Sequence, residues 1–245
     1  MICVAAVGDI HVGVDSRGTL QPALARLSER ADVLLLAGDL TRGGRLDEAA
    51  VLADELDGVG VPVVAVLGNH DYHCDQEGEI AALLTNQGVR VLEGEAVVVD
   101  TPNGRLGVAG TKGFGGGFAG ACGTEYGEPE MKAFIRHTKR LAEGLEQALS
   151  SLDSVCRVAL LHFAPIPETV EGERLEIYPF LGSYLLAEAC DRAGADLIVH
   201  GHAHAGSEKG MTAGGIPVRN VSQPVIGHAY RLYCVGNGGP RDDEA

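Results

Sequence analysis

Five short apolar runs recur along the chain, at residues 2–7, 33–37, 62–67, 155–161 and 196–200. They are rich in Val, Leu and Ile and lack polar alternation, the pattern of strands covered on both faces. Apolar residues recur at three- and four-residue steps over 19–30, 46–56, 128–152 and 180–193, which predicts helices. Pro129 suits the first turn of the longest one. Strand alternating with helix predicts βαβ units and a mainly parallel sheet.

The middle of the chain reads differently. Residues 89–92, 95–100 and 105–109 are short strand patterns, with Pro102-Asn103-Gly104 as a turn between the last two. Residues 217–221 and 230–235 are again strand-like. These segments are either antiparallel additions to the parallel sheet or a second sheet. No linker, low-complexity block or internal repeat interrupts the chain, so one α/β domain is expected over 1–239, with a frayed polar tail at 240–245.

Composition narrows the classes. The 245 residues are 45% hydrophobic and 22% charged, ordinary for a folded protein and unlike a disordered, collagen-like or coiled-coil chain. Nineteen basic residues stand against 34 acidic ones, a net charge of −15. Such a chain repels polyanions, and no Lys/Arg run is present to displace counterions, so long nucleic acids are not expected partners. The six cysteines (Cys3, Cys74, Cys122, Cys156, Cys190 and Cys234) form no CxxC pair. They read as reduced, mostly buried thiols of a cytoplasmic protein. The N-terminal apolar run breaks at Asp9 and has no basic flank, so no secretory leader is expected. No apolar stretch approaches the ~20 residues that span a bilayer, so no membrane partner is expected.

Candidate chemistry sits where the strong strands end. The first leads into Gly8-Asp9-Ile10-His11, the second into Gly38-Asp39, and the third into Gly68-Asn69-His70-Asp71. The fourth ends in His162, and the fifth leads into Gly201-His202-Ala203-His204. Ligands of open α/β sheets bind just beyond the carboxyl ends of the strands. Asp9 and His11, like His202 and His204, are two apart, so in extended backbone each pair points to one side. The preceding glycines allow sharp turns and close backbone approach to an ion or phosphate.

Carboxylate, imidazole and amide oxygen together suit Mn, Fe, Zn, Co or Ni better than Ca or Mg. Asp9, His11, Asp39, Asn69, His162, His202 and His204 are too many for one tetrahedral zinc. Two divalent or mixed-valence transition-metal ions sharing a carboxylate fit the count, and such pairs serve phosphoryl displacement.

These segments, in this order, resemble the calcineurin-like metallophosphoesterases, whose pattern runs DxH, GD, GNH[D/E], H and GHxH. The resemblance spans residues 9 to 204. It implies a sandwich of two mixed β-sheets flanked by helices, with room for the extra strands. It also implies that Asp9, His11 and His204 hold one metal, that Asn69, His162 and His202 hold the other, and that Asp39 bridges them. His70 would contact the phosphate and help protonate the leaving group after attack by a metal-bridging hydroxide, with Asp71 orienting His70. Motif two departs from the GDxxDRG of the protein phosphatases: Arg42 stands where their second aspartate would be. The GNHD form is similar to the smaller bacterial enzymes, including class III cyclic-nucleotide phosphodiesterases. Small phosphate esters, phosphodiesters above all, are therefore the expected substrates. The alternative is a protein-binding scaffold of the same fold with an impaired site, against which the complete ligand set argues.

Other candidates carry less. His200 reads as packed beneath the last motif, and His73, His137 and His228 as surface or loop residues. Residues 110–118 are Gly-rich but lack the GK[ST] of a phosphate loop. They read as a flexible loop or a flap over the metals, with Lys112 or Phe114 meeting substrate. Residues 164–179 would form the pocket rim.

Overall fold

The all-apolar runs 33–37 and 63–66 are buried at every position and pair side by side within a six-stranded sheet. The computed structural model describes residues 1–154, 156–236 and the backbone of 241–243. The first part of the chain runs β1 (Ile2–Val7), α1 (Gln21–Leu24), β2 (Val33–Ala37), α2 (Leu46–Leu56), β3 (Val63–Val66) and α3 (Glu77–Asn86). It continues through β4 (Arg90–Val91), β5 (Glu95–Thr101), β6 (Gly104–Thr111), β7 (Gly117–Phe118), β8 (Ala121–Cys122), α4 (Pro129–Ser150) and β9 (Cys156–Leu161). Then come α5 (Tyr178–Leu181), α6 (Tyr184–Ala193), β10 (Leu197–His200), β11 (Lys209–Met211), β12 (Pro217–Asn220), α7 (Gln223–Ile226), β13 (Arg231–Val235) and β14 (Arg241–Asp243).

Two mixed six-stranded sheets result, ordered β14-β13-β1-β2-β3-β4 and β11-β12-β10-β9-β6-β5. In the first, β1 to β4 are parallel and β13 and β14 antiparallel. In the second, β6, β9, β10 and β12 are parallel, with β5 and β11 antiparallel at the edges. Of the later strand patterns, 95–100, 105–109 and 217–221 thus enter the second sheet, whereas 89–92 and 231–235 join the first.

Strand alternation sorts the apolar side chains into layers. Val4, Ala6, Leu35 and Val64 pack against Leu106, Val108, Val158 and Leu160 between the sheets. Ala5, Val7, Leu34 and Leu36 face outward onto Leu52, Leu56, Ile80 and Leu84 of α2 and α3. Ala159, Leu161 and Ile198 face Leu145, Leu149, Leu186 and Cys190 of α4 and α6. Burial on both faces explains why the strands carry no polar alternation.

Several sequence expectations are revised. The helix over 19–30 is instead α1 followed by a 3-10 turn at Leu27–Glu29, although Leu20, Leu24 and Leu27 are buried as their spacing predicts. The helix over 180–193 is broken because Gly182 and Ser183 pair with Ala164 and Gly117 instead of continuing it. Helix α3 was not predicted; only its Ile80 and Leu84 are buried, too sparse a stripe to read. Residues 110–118 are no exposed flap. Apart from half-buried Phe114 they are buried, with Gly116 N–H donating to Pro179 O and Gly117 N–H to Gly182 O. Within the expected tail, the backbone of 241–243 pairs with β13; residues 240, 244 and 245, like the predicted strand start at 155, lie outside the described residues.

The cysteine expectation also needs correction. Cys3 and Cys234 are directly opposite in the antiparallel pair of β1 and β13, with Cα atoms 4.0 Å apart, and form a disulfide. The Cys3 N–H donates to the Asp32 carboxylate and the Cys3 carbonyl accepts the Asp32 N–H, neither turning to Cys234, so the pair occupies a close, non-hydrogen-bonded position of the ladder. Cys74 and Cys122 are exposed, and Cys156 and Cys190 buried. The thiol argument for a reducing compartment therefore falls away. Among the described residues no helix is long and apolar enough to cross a membrane.

Candidate metal centre

The parallel strands of both sheets deliver their carboxyl ends to one place. Asp9 and His11 follow β1, Asp39 follows β2, and Asn69 and His70 follow β3. From the second sheet, His162 follows β9, and His202 and His204 follow β10. Backbone bonds tie these ends together: Asp9 N–H donates to Gly38 O, His11 N–H to Asp39 O, and Gly201 N–H to His162 O.

The ends are also strained. Among the described residues five non-glycine residues have positive φ, and four of them are Asp9 (58°), His11 (44°), Asp39 (50°) and His202 (70°). Left-handed backbone is costly for such residues and is retained chiefly where function demands a particular side-chain direction. Here it turns the side chains inward. Asp9, His11, Asp39 and His204 bring one ligand atom each within 4.8 Å of one another, and so do Asp39, His162 and His202. Asp39 belongs to both groups. Asn69 Oδ1 lies 2.9 Å from His162 Nε2, which puts it at the second group.

Neighbouring carbonyls set the imidazole tautomers. A carbonyl only accepts, so His162 Nδ1 carries a proton toward Ala37 O (2.9 Å) and leaves Nε2 bare toward Asn69 and Asp39. His202 Nε2 donates to Phe180 O (3.2 Å), which frees its Nδ1. His200 has both nitrogens engaged, donating to Gly201 O and accepting from the Thr169 hydroxyl, so it is a packed core histidine.

Electrostatics mark the site as built for cations. Burial and the charge of Asp9 push the Asp39 carboxyl above its ordinary range, against the His70 N–H and the nearby imidazoles. Burial pushes Asp9 the same way, but His204, His162 and the His202 N–H outweigh it and hold the carboxyl at about 2. Burial lowers His11 and His162 and brings His202 to about 4, so these imidazoles are neutral near pH 7 and free to coordinate. Two buried, crowded carboxylates, four imidazoles and an amide oxygen are a donor set that fits a pair of transition-metal ions.

His70 stands at the mouth. It is 44% exposed, with Nε2 3.9 Å from Asp39 Oδ2 and its ring 4.5 Å from that of His11. Its orienting partner differs from the expected one. His70 Nδ1 donates to the backbone carbonyl of Arg42 (2.8 Å). Asp71 is fully buried and accepts from the N–H groups of Leu40, Thr41 and Gly68 and from the Thr41 hydroxyl. It fastens the Asp39 loop to the Asn69 loop and acts on His70 only through the backbone, because those four donors consume its lone pairs.

Sequence reasoning passed over or set aside some residues at the site. Gln223 and His228 border an open groove with Asp9 and His11. Phe163 lays its ring 4.2 Å from that of His202. His137 packs edge-on against Phe114. Phe163 directly follows His162, but no spacing signal links Gln223, His228 or His137 to the motifs; only the fold brings those three there.

A family model described as calcineurin-like phosphoesterase matches residues 3–206. Among solved structures, the chain is similar to a phosphopantetheinyl hydrolase from Mycobacterium tuberculosis, with TM-score 0.66 and 18% identity over 89% of this chain and 88% of that one. It is also similar to a putative 5'-nucleotidase from Staphylococcus aureus, with TM-score 0.60 and 13% identity over 98% of this chain and 53% of that one. A Thermus thermophilus protein aligns with TM-score 0.54 and 17% identity over 94% of this chain and 93% of that one. At such identities these likenesses show the fold. No curated protein matches significantly.

Proposed function

The chain belongs to the calcineurin-like phosphoesterase family, a hydrolase acting on phosphate esters, and we propose that it cleaves small phosphodiesters at a dinuclear centre. Asp9, His11 and His204 would hold one ion, Asn69, His162 and His202 the other, and Asp39 both. The observation that carries this reading is the pair of ligand groups sharing Asp39, framed by strained backbone.

The chemistry that ions held by these residues would supply is Lewis-acid polarisation of phosphoryl oxygens and activation of water near neutral pH. The remaining steps fall to the chain. The Arg42 carbonyl fixes the His70 proton on Nδ1, so Nε2 is the nitrogen that gains and releases a proton. Nε2, 3.9 Å from Asp39 Oδ2, is placed to donate a proton to the departing oxygen. Asp71 holds the two loops in register, keeping Asp39, Asn69 and His70 together.

The diester preference is supported by Arg42, which stands in place of the protein-phosphatase aspartate and pairs with Asp15 at 2.9 Å. The net charge of −15 supports a small substrate over a polyanion. The GNHD segment, similar to that of class III cyclic-nucleotide phosphodiesterases, adds cyclic nucleotides to the candidates. The test compares kcat/KM of Mn-loaded protein for bis(p-nitrophenyl) phosphate, a cyclic nucleotide, p-nitrophenyl phosphate and a phosphopeptide. Diesters are expected to lead. A tenfold preference for the monoester or phosphopeptide, about 1.4 kcal/mol of discrimination, overturns the diester assignment.

A further inference from the structure

Lys112 is a charged side chain that the metal centre does not use, and it is only 7% exposed. Its backbone carbonyl accepts the N–H groups of His162 (3.1 Å) and Phe163 (2.9 Å), which ties it to the loop carrying a proposed metal ligand. Its ammonium sits among three rings, with centroids 4.6 Å (Tyr72), 5.1 Å (Phe114) and 5.4 Å (Phe163) from Nζ. Tyr72 follows the Asn69-His70-Asp71 segment, and Phe163 follows His162 and lies against the His202 ring. The charge is therefore wedged between the two loops that carry Asn69 and His162.

Removing an ammonium from water costs several kcal/mol unless oxygen acceptors replace the hydration. Aromatic faces return only part of that, roughly 0.5–2 kcal/mol each. Yet among the described residues no carboxylate lies within ion-pair distance of Nζ and no oxygen accepts from it. The neighbouring carboxylate, Glu93, accepts instead from the Thr111 hydroxyl (2.7 Å), the Lys112 backbone N–H (3.2 Å) and the Tyr72 hydroxyl (3.5 Å). Burial lowers the Lys112 pKa, while the charges of Glu93, Asp39 and Glu77 oppose the shift. The three donors thus have no protein acceptor among the described residues, beside a site proposed to hold an anion.

We propose that Lys112 is a substrate-binding residue whose ammonium donates to a phosphate oxygen of the bound ester, on the side of the centre formed by Asn69, His162 and His202. The inference rests on the phosphoesterase reading and adds to it a recognition group from outside the motifs. The rings fix the ammonium's direction, so little side-chain freedom is lost when the oxygen arrives. A fixed positive charge there also offsets the long-range repulsion between an anionic ester and an acidic protein.

The test uses inorganic phosphate as probe on Mn-loaded protein and compares wild type with Lys112→Met, which keeps the aliphatic contact with the rings and removes the charge. Metal content should be unchanged, phosphate affinity should fall about 10–100-fold, and kcat/KM for bis(p-nitrophenyl) phosphate should fall by a similar factor. Wild-type protein supplies a measurement that needs no variant. Phosphate should protect Lys112 from acetylation, read by mass spectrometry with Lys132, Lys139 and Lys209 as internal references. If Lys112 serves only as a counter-charge inside the fold, Lys112→Met changes melting temperature alone and phosphate gives no protection, which overturns the proposal while the phosphoesterase reading stands. Wild-type protein that neither binds phosphate nor cleaves any ester after metal loading overturns both. If Lys112→Met does not fold, the protection measurement decides.

Discussion

Gly68 lies directly against Asp39: a Cβ built on it would overlap Oδ1 and the backbone nitrogen of that aspartate. Gly201 stands in the same relation to the Asp9 carboxylate. These glycines make room for ligand side chains, not only for an ion or phosphate. A methyl group at Gly68 must displace the residue common to both ligand groups. Gly68→Ala is therefore expected to lose at least one of two ions after Mn loading, as Asp39→Asn should, with the α/β fold retained. Elemental analysis beside far-UV circular dichroism checks this. Full metal content in both variants would remove Asp39 from its bridging role.

His70→Ala should keep its metals, because His70 is no member of either ligand group. Turnover should fall roughly 10²–10⁴-fold for esters with poor leaving groups. The loss should shrink for p-nitrophenyl esters, whose departing oxygen needs no proton. Equal losses across a leaving-group series would argue against proton donation.

Glu55 illustrates stability held away from the centre. Its carboxylate, on α2, accepts the N–H groups of Gly18, Leu20 and Gln21 and so caps α1, whose own N-cap residue supplies no side-chain bond. Burial raises its pKa, but those three N–H groups and Arg17 outweigh burial and bring it below the ordinary 4.5. A depressed folded pKa means that the contribution is present above the unfolded value of 4.5 and is lost as pH falls through the lower folded value. Glu55→Gln should cost about 1–3 kcal/mol at pH 7, and its deficit relative to wild type should narrow below pH 4.5. Urea denaturation from pH 7 to 3 reads both.

The Cys3–Cys234 disulfide closes nearly the whole chain, joining residues 231 apart. Its removal in Cys3→Ser/Cys234→Ser should lower stability by about 2–5 kcal/mol. Metal content should not change, because Cys3 lies near the amino end of β1 and the ligands beyond its carboxyl end. Thermal unfolding with and without reductant, together with metal analysis, tests the separation.

Much of the site was legible because it is local. Each ligand sits within a few residues of an apolar strand end, so Asp9, Asp39, Asn69, His162 and His202 could be assigned to one edge before any contact was known. Asp71 shows where local reading stops. Its neighbour in sequence is His70, yet its donors come from Leu40 and Thr41, some thirty residues earlier, and from Gly68. The group that orients His70 is a backbone carbonyl at Arg42, which no side-chain pattern encodes. Lys112 entered the sequence reading as part of a mobile flap, and only packing against Tyr72, Phe114 and Phe163 shows it to be buried and directed.

What the sequence determined by itself was the five strong strands, their burial on both faces and the order of the ligand segments, because hydrophobic period and short motifs act over a few residues. What only the tertiary structure decided was which strands share a sheet, the pairing of Cys3 with Cys234, and the closeness of Gly68 to Asp39. Those depend on register between segments tens to hundreds of residues apart, which is set by packing of the whole core rather than by any local preference.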